Sequence, residues 1–320
     1  MKKITLLLSF IVCVVFAQAQ LLTTEDFNFT PATDLFGQGS WILTGAAATP
    51  TLQVTASSIT YSGYPGSGIG NEVTLTNGQD LNKKFAPQTT SNVYASFIVN
   101  VSAISTSGDY FLNLGAETIG SAFVGRVSVK KESETGTKIA FGVMMTSGGT
   151  PSPTPTYSGF DYDLGTTYLI VLKHNNTGKV SSIIVNPSIS STEPTTGWID
   201  NNQGTNAVPA NIGAIGLRQP SPSAALTAKL DGIRVATSWA ALFSTTGTSN
   251  PSSSNELSAF VSGKNLMIKN AVEGSKVEIY SALGSKVQTS TLEDGKVSLD
   301  NLSKGLYVVR IGKKAQKFML

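Results

Sequence analysis

Two pairs of acidic residues have the spacing that a glycosidase needs. Glu132 and Glu134 are separated by one residue, as are Asp161 and Asp163, so in a strand each pair would share one face with Cα atoms about 6.7 Å apart. Glycosidases place their two carboxyl groups about 5–9.5 Å apart. The glutamates, however, lie in a polar, charged segment with the composition of an exposed hairpin turn. We therefore expect a solvated turn at the glutamates and assign no catalytic residue.

The aspartates are the best candidates for a calcium site. Asp161 and Asp163 stand just before a predicted core strand, and Asp200 is followed by two asparagines. Calcium takes six to eight oxygen ligands, which carboxylate and amide groups supply. The same residue types are also ordinary in turns, so a structural role for all three stays open. No other cofactor is expected.

Thiol and imidazole chemistry is limited to one residue of each type. Cys13 and His174 are the only cysteine and the only histidine, which excludes a disulfide framework, a Cys/His zinc site and a Cys–His nucleophile pair. His174 ends a predicted strand and is expected at the surface. A general base would also need a neighbouring nucleophile and an orienting acid.

Aromatic side chains in loop-like segments could instead stack on sugar rings. Four such residues are candidates for a ligand platform: Tyr61, Tyr64, Tyr157 and Trp198. Trp41 and Trp239, by contrast, lie beside apolar runs and are predicted to belong to the core. A buried or incidental role is the alternative for each of the four.

The elements that must position these residues are predicted to be strands. Only 13% of the residues are charged, and glycine occurs 31 times, which favours strands joined by many turns. From Val93 to Val101 every second residue is apolar, a period of two. Seven further strand-like runs follow: 110–114, 123–130, 138–145, 166–174, 180–186, 212–218 and 229–239. No long segment keeps a helical period, so an antiparallel two-sheet sandwich is predicted.

The amino-terminal segment predicts export. Lys2 and Lys3 precede an apolar stretch that ends in Ala-Gln-Ala, which is the pattern of a signal peptide cleaved between Ala19 and Gln20. The stretch is shorter than the roughly 20 residues that a spanning helix needs. We expect residues 1–19 to be removed and the mature chain to have no transmembrane segment and no thiol.

A linker is predicted to separate two modules. Residues 244–256 are rich in Ser, Thr and Asn and contain no large apolar side chain, so they cannot offset their ordering entropy by burial. Residues 257–320 hold ten Lys/Arg and five Asp/Glu, so they are basic. Residues 20–256 hold eleven Lys/Arg and fifteen Asp/Glu, so they are slightly acidic. A net charge of +3 for the whole chain does not point to nucleic acid. The predicted modules are residues 20–243 and 257–320.

Three motifs in the larger module resemble a known family. They are Thr166-Thr-Tyr-Leu-Ile-Val-Leu-Lys173, Ile184-Val-Asn-Pro187 and Leu230-Asp-Gly-Ile-Arg-Val-Ala-Thr-Ser-Trp239. Their order and spacing are similar to those of the concanavalin A-like, laminin-G-like jelly-roll domains of proteins secreted by Bacteroidetes. The resemblance implies a jelly-roll sandwich. The Glu-x-Asp-x-x-Glu motif of the laminarinase-type glucanases with this fold is absent.

The smaller module resembles the C-terminal sorting domain, type A, of the type IX secretion system. The residues that carry this resemblance are Gly274, Tyr280, Gly284, Gly305 and Tyr307. A hairpin with its turn at Leu283-Gly284 is expected. The family often opens with Tyr-Pro-Asn-Pro, where this chain has Leu257-Ser-Ala-Phe-Val261. The resemblance implies the type IX secretion machinery as a partner.

These patterns predict a protein that is secreted or held at the outer-membrane surface, reached through the periplasm. The first hypothesis is a non-enzymatic β-sandwich acting in adhesion or carbohydrate binding, with a glycan as its partner. The alternative is a polysaccharide-active hydrolase or lyase on the same fold. A third interpretation makes the large module a spacer.

Overall fold

The computed structural model describes residues 20–146, 148, 152–204, 208–244, 258–262, 264–269, 271–281, 284–312 and 314–320. The chain divides into two compact units, Met1–Thr248 and Ser249–Leu320. The predicted signal peptide, with Ala19, and the predicted linker after Ser244 lie outside the described residues, so both stay predictions.

Two antiparallel eight-stranded sheets build the first unit, with strands numbered in chain order. Sheet I runs β14 (Ile199–Asn201), β13 (Val180–Val185), β12 (Thr167–Asn175), β6 (Asn92–Ala103), β16 (Thr227–Ala236), β4 (Glu72–Leu75) and β3 (Val54–Thr55), with β1 (Leu21–Glu25) also paired with β16. Sheet II runs β10 (Thr156–Tyr157), β9 (Lys138–Thr146), β8 (Phe123–Lys131), β7 (Asp109–Gly115), β15 (Ile212–Leu217), β5 (Leu81–Gln88) and β2 (Trp41–Leu43), with β11 (Tyr162–Asp163) also paired with β9.

The main core lies between these two sheets. The alternate apolar residues of β6, from Val93 to Val101, are all fully buried in it, because successive side chains of a strand point to opposite faces. Phe97 of sheet I meets Phe111 of sheet II edge to face, with ring centroids 6.0 Å apart. The prediction of an all-β, antiparallel two-sheet sandwich is confirmed.

A second apolar cluster covers the outer face of sheet I. It contains Tyr94 and Ile98 of β6 together with helix α1 (Trp239–Phe243). The predicted strand 229–239 is therefore too long: β16 ends at Ala236, and the Ser238 side chain accepts a hydrogen bond from Ala241 N and caps the helix. The structure confirms that Trp41 and Trp239 are core residues, 0% and 2% exposed. A 3₁₀ turn spans Pro222–Ala224.

Buried ionisable groups tie the amino-terminal strand to the sandwich. Lys83 Nζ lies 2.6 Å from Glu25 Oε2, which also accepts a hydrogen bond of 2.8 Å from Trp41 Nε1. The Phe27 backbone N–H donates to the other oxygen of Glu25 at 2.8 Å. Both carboxylate oxygens are thus satisfied, as a charge away from water requires.

Asp231 is a second buried carboxyl, at an irregularity in the pairing of β16 with β6. Ser58 Oγ and the Gly232 backbone N–H each donate to it at 2.6 Å. Burial raises its pKa to about 7, and the nearby carboxylates Asp26 and Glu72 add to this effect. Ser58 thereby attaches the segment that precedes β4 to the last strand of the sandwich.

Two smaller antiparallel sheets build the second unit. One consists of β17 (Ser258–Ser262), β18 (Asn265–Lys269) and β21 (Lys296–Ser298), and the other of β20 (Lys286–Thr291), β19 (Lys276–Ser281), β22 (Leu306–Ile311) and β23 (Lys314–Met319). Their own core includes Leu266, Val277, Ile279 and Val309. The predicted hairpin is β19–β20, with Gly284 at φ +82°, whereas Leu283 lies outside the described residues.

Within the described residues, no helix is both long and apolar enough to span a membrane.

Candidate glycan-binding face

The outer face of sheet II carries polar and aromatic side chains. The valines of β8 are fully buried in the core, so Arg126, Ser128 and Lys130 point the other way. In the same register, Tyr157 of β10 pairs with Gly142, Gly142 with Ser128, and Ser128 with Tyr110 of β7. Across these four strands the two tyrosine Cα atoms are about 14 Å apart. We call this surface the tyrosine face, formed by Tyr110, Arg126, Ser128, Lys130, Gly142, Tyr157 and Arg218.

Tyr157 lies flat across its neighbouring strand. A Cβ atom at Gly142 would come within 2.6 Å of the Tyr157 ring, so only glycine allows the ring to rest there. The Tyr157 hydroxyl hydrogen bonds with Ser128, and burial raises the pKa of the phenol. Lys130 Nζ lies 4.3 Å from the ring centroid, within cation–π range. The ring is consequently held in place while half-buried.

Tyr110 stands between two guanidinium groups. Arg126 Cζ is 4.6 Å from the Tyr110 ring centroid and Arg218 Cζ is 4.3 Å from it. The arginines come from opposite sides, because β7 lies between β8 and β15 in the sheet. Asp109 Oδ2 lies 3.4 Å from Arg218 Nη2. Burial raises the pKa of Tyr110, although the two arginines act in the opposite direction. The phenol is therefore protonated at neutral pH.

Three of the four aromatic residues predicted as a platform come together elsewhere. Tyr61, Tyr64 and Trp198 belong to the cluster on the outer face of sheet I. Tyr64 is only 4% exposed, with its hydroxyl donating to Gly232 O at 2.6 Å and paired with Ser96 Oγ at 2.8 Å. The expectation that Tyr64 is an accessible loop residue is therefore wrong, because the segment folds back onto the sheet.

Trp198 is partly exposed but already has a protein neighbour over its ring. Lys173 Nζ lies 5.4 Å from the Trp198 centroid and 2.7 Å from Glu193 Oε1. Tyr94 O–H donates to the other Glu193 oxygen at 2.8 Å. These contacts hold the segment between β13 and β14 against sheet I, so Trp198 has a structural role.

His174 was expected at the surface, but the structure buries it. It is 1% exposed, and its Nδ1 lies 2.9 Å from Ser181 Oγ on the adjacent strand. Burial lowers its pKa to about 4. The prediction failed because β12 continues to Asn175, so that position 174 alternates inward. A buried neutral imidazole is not placed to act on a surface ligand.

The acidic candidates do not form one site. Glu132 and Glu134 are exposed in the turn between β8 and β9, as expected. Asp163 lies 2.9 Å from Lys138 Nζ on sheet II, whereas Asp200 belongs to β14 of sheet I. Among the described residues, no three His, Cys, Asp or Glu side chains are grouped to hold a metal. The structure thus does not bring Asp161, Asp163 and Asp200 together.

The residues of the predicted sorting motif have local structural roles. Gly274 has φ +79°, a conformation that favours glycine. Tyr307 stacks on Phe318 at 5.7 Å, and Tyr280 O–H donates to Glu278 Oε2 at 3.0 Å. Gly305 exchanges two backbone hydrogen bonds of 3.0 Å with Leu320, which closes the last hairpin.

Tyr110, Arg126 and Arg218 were not predicted as ligand contacts, because they lie in or directly after strands and strands were expected to form the core. The alternation of valine with Arg126, Ser128 and Lys130 in β8 was the available signal. It shows a strand with one polar face.

Several solved structures are similar to the chain at low scores. The CBM2 module of the evolved Dit of Lactobacillus casei BL23 phage J-1 has a TM-score of 0.40 at 12% identity, over 69% of this chain and 96% of that one. A second structure is domain 4 of AbnA, a GH43 extracellular arabinanase from Geobacillus stearothermophilus, in complex with arabinotriose. It has a TM-score of 0.40 at 14% identity, over 72% of this chain and 99% of that one. The cellulose induced protein Cip1 has a TM-score of 0.40 at 13% identity, over 68% of this chain and 97% of that one. Such scores carry no functional information.

The C-terminal unit is assigned by sequence. No curated protein matches the chain. The family described as secretion system C-terminal sorting domain matches residues 262–319, which span β18 to β23 and the core of the second unit. A sorting domain of this kind implies export to the medium or the cell surface and handling by the type IX secretion machinery. Residues 262–319 are therefore a secretion-system C-terminal sorting domain.

Proposed function

We propose that this protein is a secreted or surface-displayed, non-enzymatic carbohydrate-binding protein that uses the tyrosine face. The observation that carries the proposal is the in-register row from Tyr157 through Gly142 and Ser128 to Tyr110. It places two half-buried tyrosines on one face of a rigid sheet, two strands apart, which is the kind of support that a precise binding site needs.

The chemistry of the row suits a sugar chain. Lys130 lies over the Tyr157 ring, and Arg126 and Arg218 lie over the Tyr110 ring. A sugar chain on this face would contact the ring edges and hydrogen bond to these charged groups. With about 14 Å between the tyrosine Cα atoms, the face suits an oligosaccharide segment rather than one sugar. Rigid tyrosines also lose little conformational entropy on binding.

The ionisable groups at the face favour binding over hydrolysis. Asp109 is engaged by Arg218, and the Tyr110 phenol is not ionised at neutral pH. Retaining and inverting glycosidases both need two carboxyl groups flanking the scissile bond. His174, the only imidazole, is buried.

For delivery, we propose a signal peptide at residues 1–19, passage through the periplasm and export by the sorting domain. The larger unit would be a concanavalin A-like jelly roll from a Bacteroidetes cell. These assignments are supported by the amino-terminal pattern and by the sorting domain.

The test is a glycan array with residues 20–320, followed by assays for reducing ends and unsaturated sugars on every glycan bound. We expect binding without product. The variant Gly142→Ala should weaken binding, because its Cβ displaces the Tyr157 ring, and Tyr157→Ala should abolish it. Two matched controls should bind like wild type: Gly120→Ala, whose Cβ would meet no atom within 4 Å, and Tyr61→Ala on the opposite sheet. Product release would support a hydrolase or lyase instead, and full binding by Tyr157→Ala would refute the site.

A further inference from the structure

We infer that Lys83 and Glu25 form a covalent amide, an isopeptide bond that joins the two sheets of the first unit through its core. The ion pair described above is the arrangement of the two side chains before that bond closes. Such a bond is a modification of the fold and does not depend on the tyrosine face.

Both side chains point into the space between the sheets. Lys83 alternates with Leu81 and Phe85 on β5 of sheet II, and both of these neighbours belong to the main core. Glu25 ends β1 of sheet I, where it pairs with the buried Ile233. The lysine and glutamate side chains are only 10% and 5% exposed. A bond between them would therefore link the first strand of one sheet to a strand of the other.

The reacting atoms are close together and held in place. Lys83 Nζ lies 2.6 Å from Glu25 Oε2, and a carbon–oxygen bond adds at most about 1.23 Å, so the carboxyl carbon is within about 3.8 Å of the nitrogen. Reacting atoms in a near-attack arrangement are about 3–3.5 Å apart. Trp41 Nε1 and the Phe27 N–H each donate to one carboxylate oxygen at 2.8 Å. The same two donors would stabilise the negative oxygen that forms when the nitrogen attacks.

The step is a condensation that needs no other reactant. One proton passes from Nζ to the Glu25 carboxylate, the freed amine attacks the carboxyl carbon, and a second proton follows to the oxygen whose bond to carbon breaks. An ammonium and a carboxylate thus become an amide and one water molecule. Burial raises the pKa of Asp26 to about 6, and Glu25 and Lys83 lie close enough to shift it further, in opposite directions. Asp26 can therefore relay the second proton near neutral pH.

Burial distinguishes this pair from others of the same length. Lys229 Nζ lies 2.6 Å from Glu72 Oε1, and Lys173 Nζ lies 2.7 Å from Glu193 Oε1. Their lysine side chains are 45% and 26% exposed, against 10% for Lys83. A hydrated ammonium is stable as an ion, whereas in the core a neutral amide replaces two charges whose burial is unfavourable. We therefore expect condensation at Lys83 and ion pairs at the other two lysines.

The test is the intact mass of residues 20–320 after expression and further incubation of the folded protein. We expect a mass lower than that of the sequence by one water molecule. The full mass of the sequence would overturn the inference. Because this measurement uses the unaltered chain, it does not depend on whether a variant folds.

A digest of the denatured protein locates the bond, since an Asp–Gly sequence can also lose water by forming a cyclic imide. Glu72 is the only glutamate between Glu25 and Lys83, so a glutamate-specific protease cuts the chain between them. The peptides that end at Glu72 and begin at Val73 should stay joined, and trypsin should no longer cut after Lys83. Separate peptides would overturn the inference even if the intact mass is low by one water.

A double variant and a matched control complete the test. Lys83→Met removes the amine, and Glu25→Gln in the same chain removes the charge that would be left buried without a partner. The double variant should have the full mass of its own sequence. Lys138→Met, which breaks the exposed pair with Asp163, should still be lighter than its sequence by one water. Water loss that persists in the double variant would overturn the assignment to Lys83 and Glu25.

Discussion

The buried carboxyl of Asp231 should make the first unit less stable as the pH rises. Burial holds its pKa at about 7 in the fold, against an ordinary value of 3.8 for an aspartate. The folded chain therefore keeps a proton that the unfolded chain releases. The stabilisation is complete below pH 3.8 and is lost as the pH rises through 7. Between pH 5 and pH 8 this carboxyl alone should remove about 2–3 kcal/mol from the free energy of unfolding.

The variant Asp231→Asn isolates this contribution. Asparagine has the same shape, can accept the Gly232 N–H and can donate to Ser58 Oγ, so the contacts of 2.6 Å can be retained with no titrating group. His174, with its pKa lowered to about 4 by burial, changes stability in the opposite direction, because its contribution is lost as the pH falls. Since His174 titrates in both proteins, its effect cancels in the comparison.

The assay is urea unfolding followed by tryptophan fluorescence at pH 5 and pH 8. The three tryptophans, Trp41, Trp198 and Trp239, all lie in the first unit, so the signal reports on that unit alone. The wild type should lose about 2–3 kcal/mol more than Asp231→Asn between the two pH values. Asp200→Asn, at an exposed strand position, should follow the wild type. Parallel pH dependence in wild type and Asp231→Asn would refute the reasoning.

Three further predictions concern stability and export. Glu25→Ala should destabilise the first unit by about 3–5 kcal/mol, because Lys83 would be left buried without its partner, and fluorescence-detected unfolding checks this; a loss under about 1 kcal/mol would contradict it. Phe97→Ala should lower the free energy of unfolding by about 3–5 kcal/mol in the same assay. An unchanged unfolding midpoint would contradict the role of Phe97 in the core. Deleting residues 257–320 should retain the protein in the periplasm of an exporting host, and its appearance in the medium would argue against the sorting domain as the export signal.

Much of the fold could be predicted because strands with one buried face leave a period of two in the sequence. The run from Val93 to Val101 placed its apolar residues in the core, as the structure shows. The end of β16 could not be predicted, because Trp239 continues the period of two of Ile233 and Val235, whereas in the structure Ser238 caps a helix that begins at Trp239. His174 was expected at the surface because it ends the predicted run 166–174, although it alternates with Ile170 and Leu172, which face the core.

The candidate site was harder to predict than the fold. Tyr157 was identified from its loop-like surroundings, but its neighbours Ser128 and Tyr110 come from strands that are distant in sequence, and only the pairing of four strands unites them. Tyr64 was misjudged because local composition does not show that a turn-rich segment folds back onto a sheet and becomes buried. Register between distant strands is a tertiary property, and a single sequence does not display it.

The central claim is that the tyrosine face is the ligand-binding surface of the first unit. The most direct measurement is a crystal structure of residues 20–320 with an oligosaccharide that binds in the glycan array. We expect density for the sugar chain along Tyr157 and Tyr110 on the outer face of sheet II. Sugar bound at the Trp198 and Lys173 cluster of sheet I, with the tyrosine face empty, would contradict it.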